Sequence, residues 1–144
     1  MMTMYEHLRA VRLVYEKITS PVCKKYGLKH CETDILMYLV KHPSQATATD
    51  IVKRENMSKS QVSMSLRVLE SKGYVTGEHI GNDRRTIYLR VNECASELID
   101  DMARAHKAFG ESITDGFSEE ELQTLFSMLR RVKANVLAHS KKSN

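Results

Sequence analysis

The chain has no tryptophan, two prolines and six glycines among its 144 residues. With so few breakers, most of it reads as helix interrupted by short turns. Its three cysteines are an odd number, which excludes a secreted disulfide framework as the source of stability. Long hydrophobic runs are also missing. The longest, Ile35 to Val40, is six residues against the roughly 20 that span a bilayer, so no membrane partner is expected. Glu6 and His7 stand near the start and no greasy segment follows them, so no signal peptide is expected either. There is no glycine-rich phosphate loop, no Ser-x-x-Lys and no histidine pair spaced i, i+4. Catalysis, a metal site and a cofactor are therefore not expected. What remains is a cytoplasmic globular protein with 42% apolar residues, enough for one domain over 1–144 with its own core.

Charge is uneven along the chain. Residues 1–52 carry a net +2, residues 53–90 +4, residues 91–117 −4 and residues 118–144 +2, for a total of +4. A basic middle is often only a solvated face. It becomes a nucleic-acid footprint when the same segment has the architecture to read DNA.

Helical periodicity organises the rest. Met4, Leu8, Val11, Tyr15, Ile18 and Val22 recur at steps of three and four, a single apolar seam on a long first helix that closes near Pro21 and Gly27. Cys31 to Lys41 is apolar nearly all round, a short buried helix stopped by Pro43. Thr47-Ala-Thr-Asp50 and Ser58-Lys-Ser-Gln61 are capping-box patterns that open two further helices. The turn between them is tight and holds Asn56, which tolerates a left-handed conformation. Gly73 is placed to end the second of the pair. Tyr74 to Ile80 and Thr86 to Val91 then read as strands around the turn residues Gly81-Asn82-Asp83. In the later strand Ile87, Leu89 and Val91 alternate with polar positions. Asn92 is expected to cap another helix, striped by Ala95, Leu98, Ile99, Met102, Phe109 and Ile113. Ser118 opens a last helix striped by Leu122, Leu125, Phe126, Leu129, Val132 and Val136. The fold expected is mainly α with a two-stranded β wing.

A short helix, a tight turn, a second helix and a hairpin make a winged helix-turn-helix. On the second helix Val62, Leu66 and Leu69 form one inward apolar face. The opposite face offers Lys59, Ser60, Gln61, Ser63 and Arg67. Short hydroxyls let a backbone approach base edges, Gln and Arg bond bidentately to adenine and guanine, and Lys suits phosphate. An ordinary amphipathic surface helix has no need of serines in its first turns.

At this point the chain resembles the multiple-antibiotic-resistance-regulator (MarR) family of bacterial transcription factors, over nearly its whole length. The most specific piece is the wing, Asp83-Arg84-Arg85-Thr-Ile-Tyr-Leu-Arg-Val91-Asn92, similar to the family's Asp-x-Arg, five residues, then Leu-Thr. Leu69-Glu-Ser-Lys-Gly73-Tyr-Val75 is similar to the family's Leu-Glu-x-x-Gly-x-Val. The resemblance implies a homodimer on a pseudo-palindromic double-stranded DNA operator, most often a repressor released by a small aromatic or phenolic effector. It implies intertwined dimerisation helices, 1–30 and 93–144 here, and a DNA-binding lobe over 31–92. By the same resemblance Arg85, with Arg84 beside it, is the wing arginine for the minor groove, and Asp83 is the acidic partner that orients it. Gly77 departs from the pattern, standing where an arginine is common, so one basic contact is missing.

Two further sets of residues follow from the resemblance. Some family members sense peroxides through a thiol, and Cys23 precedes Lys24 and Lys25 while Cys31 opens a helix, both settings that lower a thiol pKa. Met37, Met57 and Met64 fall near the junction where the family often binds aromatic acids, although methionines at helical spacing are usually core. The alternatives to an effector-released regulator are a thiol-based redox-sensing regulator and a winged-helix protein-interaction module without DNA binding.

Overall fold

The computed structural model describes residues 1–44 and 46–142, which form six α-helices and a two-stranded sheet. Helix α1 (Met4–Tyr26) opens on a capping box: Thr3 Oγ1 accepts from the Glu6 amide at 3.2 Å, and the Glu6 carboxylate accepts from the Thr3 amide at 2.6 Å. Pro21 lies inside the helix, close to its end. The helix runs on to Tyr26 and ends at Gly27, whose φ of 64° is left-handed. A proline removes one N–H, and neighbouring turns can hold the helix across that gap when one face is packed.

Helices α2 (His30–Lys41), α3 (Ala48–Glu55) and α4 (Lys59–Ser71) follow. The α3 box is complete, with Thr47 and Asp50 exchanging hydrogen bonds at 3.2 and 3.0 Å. The α4 box is only half formed. Ser58 Oγ accepts from the Gln61 amide at 3.1 Å, but the Gln61 side chain does not return the bond and stays exposed. Asn56 takes the left-handed turn at φ 52°. Gly73, at φ 79°, ends α4, and the next amide, Tyr74, reaches back to the Leu69 carbonyl at 2.9 Å.

Strands β1 (Val75–Glu78) and β2 (Tyr88–Val91) are shorter than the alternation suggests. They pair antiparallel from Val75↔Val91 to Glu78↔Tyr88, and the ladder then stops. Beyond it Ile87 is exposed, so alternation at that position does not mean burial. Leu89 also donates to the Ala46 carbonyl at 2.8 Å, tying the wing to the segment before α3. Asn92 stands at the N-cap of a 3-10 turn, but its side chain makes no cap bond. Its amide donates to the Gly73 carbonyl and to Thr76 Oγ1, both at 2.8 Å, and so locks the base of the wing. A single 3-10 turn, Glu93–Ala95, intervenes before α5 (Ser96–Ile113), and α6 (Glu119–Lys142) completes the chain.

One core cluster joins α2, α3, α4, the wing base and the start of α5 through Ile35, Leu36, Leu39, Ile51, Leu69 and Leu98. A second joins α1, α2 and α5 through Cys23, Met37, Met102 and Ala105. The apolar seam of α1 divides in two: Tyr15, Ile18 and Val22 are half-buried, while Met4, Leu8 and Val11 are exposed. No described residue of α6 is buried.

Candidate nucleic-acid interface

Helix α4 is anchored by one face and open on the other. Val62, Leu66 and Leu69 are buried as their spacing requires, and Ser65 joins them, donating to Cys31 Sγ at 3.5 Å. Lys59, Ser60, Gln61, Ser63 and Arg67 are all exposed, as is Met64 between them. Neither Lys59 nor Arg67 makes an ion pair among the described residues. A cation left without a partner in a folded surface remains available to an anion from outside.

The wing tip is organised by Asp83. Its Oδ1 accepts from the Arg85 amide at 3.0 Å and the Thr86 amide at 3.2 Å. Hydrogen bonding from Thr86 and from the Arg85 amide holds the Asp83 carboxyl below the usual carboxylate range. Asp83 therefore fixes the backbone that carries Arg85, and makes no ion pair with its guanidinium. Gly81 turns the chain at φ 61°, a conformation that favours glycine. Gly77 has its own cause: a Cβ there would lie 2.7 Å from Ile87 Cγ2, so Ile87 occupies the space an arginine stem would need.

A groove of about 710 Å³ runs between α3, α4 and the wing, lined among others by Thr49, Lys53, Lys59, Ser63, Arg67 and Ile87. A shallower concavity of about 280 Å³ is lined by Thr47, Ala48, Thr49, Arg85, Thr86 and Ile87. The two share Ala48, Thr49 and Ile87, so Lys59, Ser63 and Arg67 of α4 and Arg85 of the wing lie along one continuous surface, while Ser60 and Gln61 are exposed outside both linings. Sequence reasoning missed Thr49 and Lys53. The only trace of them was a second hydroxyl and a lysine on the solvent side of the capped helix.

The cysteines and methionines fare differently. Lys24 and Lys25 do not activate Cys23. The thiol is buried, desolvation pushes its pKa up, and Lys25 turns instead to Glu97 at 3.0 Å and Asp101 at 2.7 Å. Cys31 is half-buried at the start of α2, against Ser65. The three methionines do not converge: Met37 belongs to the second core cluster, Met57 packs beside the first, and Met64 is 63% exposed on α4.

A polar cluster unnoticed in the sequence ties α1, α2 and α5. Tyr15 Oη lies 3.3 Å from Asp34 Oδ1 and 3.2 Å from His106 Nε2, and Thr19 Oγ1 lies 2.8 Å from His30 Nε2. Desolvation raises the Tyr15 and Asp34 pKa values and lowers that of His106, which Lys41 lowers further. Its members lie far apart in sequence and only helix packing brings them together.

A profile of the MarR family matches residues 26–86, which run from the end of α1 through α2, α3, α4 and the wing tip. Over that lobe the chain is similar to the MarR family. An HTH-type transcriptional regulator, PecS of Dickeya dadantii, is 28% identical over 90% of this chain and 80% of its own length. The HTH-type transcriptional regulator YdgJ of Bacillus subtilis is 27% identical over 70% of this chain, and the match spans 62% of YdgJ. The fold is that of a MarR family regulator from Listeria monocytogenes solved in complex with a 26mer DNA, with a TM-score of 0.88, 18% identity and coverage of 100% of this chain and 97% of that one. A winged helix-turn-helix is thus the frame on which the exposed α4 row and the wing arginines are mounted.

Proposed function

We propose that this chain is a MarR-family, sequence-specific double-stranded DNA-binding transcriptional regulator that acts as a homodimer on a pseudo-palindromic operator. The observation that carries this reading is the continuous surface from Lys59, Ser63 and Arg67 on α4 to Arg85 on the wing, with its cations in no ion pair among the described residues. In this arrangement α4 enters the major groove, where Ser60, Gln61, Ser63 and Arg67 read base edges and Lys59 holds phosphate. Arg84 and Arg85 reach the flanking minor groove. The Listeria relative was solved in complex with a 26mer DNA, which supports DNA as the partner. The dimer is formed by α1, α5 and α6, around a lobe that extends from α2 to the wing. Repression, relieved by a small aromatic or phenolic effector in the cytoplasm, is the mode that the family likeness favours.

The unpaired cations speak against a protein-interaction module, and the buried Cys23 thiol speaks against redox sensing at that residue. The test is a selection of genomic fragments by the purified protein. Recovered fragments should share a two-fold symmetric motif, and affinity should fall by about tenfold or more over a fourfold rise in salt. Failure to enrich any fragment, or binding indifferent to salt, would refute DNA recognition.

A further inference from the structure

The wing carries its arginines on backbone that the sheet does not hold. The ladder ends at Glu78↔Tyr88, and residues 79–87 project beyond it. At the tip, the Asp83 amide donates to the Ile80 carbonyl at 3.3 Å, and Asp83 Oδ1 takes the Arg85 and Thr86 amides. Among the described residues, one hydrogen bond joins the two arms above the ladder: His79 Nδ1 lies 2.9 Å from the Thr86 carbonyl oxygen. A carbonyl only accepts, so Nδ1 carries the proton and donates. The two peptide groups of Thr86 are therefore gripped by different arms, its amide by Asp83 and its carbonyl by His79. His79 itself is exposed and belongs to neither core cluster.

We propose that His79 is a positioning residue for DNA binding, a brace that holds the arm bearing Arg84 and Arg85 at a fixed angle to the sheet. This rests on the wing arginines contacting DNA, as proposed above. Without the brace no hydrogen bond among the described residues links the tip to the other arm, the Ile87 side chain over Gly77 is left as a packing contact, and the tip can hinge about the last ladder pair. An arginine on a hinged tip loses conformational freedom when it docks, and that loss weakens binding. With the brace the loss is taken when the protein folds. The sequence supplies this with a ring nitrogen at the δ position, the reach needed from residue 79 to the opposite carbonyl.

The experiment compares the parent with H79A, H79N, R85A and the double variant H79A/R85A. The probes are a labelled duplex recovered from genomic fragments by the parent and a random duplex of equal length. Asparagine places an amide nitrogen at the δ position and can make the same bond. H79A should weaken binding to the recovered duplex by about threefold to tenfold, the range of one hydrogen bond, with thermal unfolding unchanged. H79N should restore binding to within about twofold of the parent. In the R85A background H79A should have a smaller effect than in the parent, because only Arg84 is then left for the brace to position. If R85A is weakened and H79A binds as the parent does, the brace is refuted and the wing reading stands. If R85A also binds as the parent does, or no duplex is recovered, both fall. Additive losses, or no rescue by H79N, would mean that His79 acts on DNA or on folding by another route, and would overturn the proposal.

Discussion

Arg85 stands two residues past Asp83, and the carboxylate reaches its amide rather than its guanidinium. That difference sets apart two substitutions that an ion-pair account would treat alike. Asp83→Asn keeps an acceptor for the Arg85 and Thr86 amides and should bind DNA nearly as the parent does. Asp83→Ala loses both bonds and should weaken binding by about threefold, the scale of a net hydrogen bond. Arg85→Ala, which removes the contact itself, should cost about tenfold, most on sites flanked by A·T pairs. A titration of labelled operator with each variant checks this, and equal losses for Asn and Ala would restore the ion pair. The Asp-x-Arg spacing was legible in the sequence; the route of its action was not, because it depends on the curl of the tip. His106 gives a second expectation at this scale. Burial depresses its pKa below 6.5, so the folded state favours the neutral ring. Its contribution to stability is full above pH 6.5 and is lost as pH falls through that value toward the depressed folded pKa. Asp34, with its raised pKa, opposes this by taking up a proton more readily when folded. His106→Gln should therefore lose less thermal stability than the parent between about pH 7.5 and pH 5.5. Parallel melting curves across that range would refute the assignment.

Elements were legible where a side chain closes a local loop and illegible where distant segments must meet. Thr47 with Asp50, Asn56 and Gly73 each act within a few residues of themselves, so α3, its turn and the end of α4 could be placed from sequence. Asn92 looked like another cap, but the Gly73 carbonyl and Thr76 hydroxyl, brought near by the hairpin, hold its amide instead. The length of the strands was misread for a related reason. Alternation continues through Ile87, while the ladder ends at Tyr88 and leaves Ile87 exposed beside Gly77. On α4, the separation of buried and exposed faces was legible except at Ser65, which is buried, and Met64, which is exposed, and it leads to a graded expectation. Alanine at Ser60, Gln61, Ser63 or Arg67 should cost about 1–3 kcal/mol on the selected operator and little on random DNA. Lys59→Ala should weaken both and make the salt dependence shallower by about one phosphate contact. These residues are exposed, so folding should be unaffected. Equal losses on both DNAs at all five positions would reduce α4 to a phosphate-binding helix.

At the scale of the whole molecule, the ends of the chain carry more apolar surface than one copy can cover. Helix α6 is 24 residues long, none of them buried, and Phe126, Met128, Leu129, Val132 and Val136 are each about half exposed. Met4, Tyr5, Leu8 and Leu13 of α1 are exposed as well. A helix of this length gains most of its stability in water from packing an apolar face, and a free patch of this kind would invite aggregation. A second copy offers the same two helices in return, and intertwining them would bury an area of the obligate class, roughly 2,000 Å² or more. Substitution on this face separates the cases sharply. On a solvated surface, Leu129→Glu or Val132→Glu would shift stability by no more than about 0.5 kcal/mol. In an interface, either change buries an unpaired carboxylate in each subunit and should break the dimer or unfold it. Removal of residues 118–144 should go further and leave an insoluble or unfolded chain. Sedimentation of the parent should give a dimer at micromolar concentration, and the glutamate variants should give monomer or aggregate with operator binding lost. A truncated chain that stays folded, monomeric and fully competent for DNA would show that α6 is not the interface, and that the symmetric operator must be read in some other way.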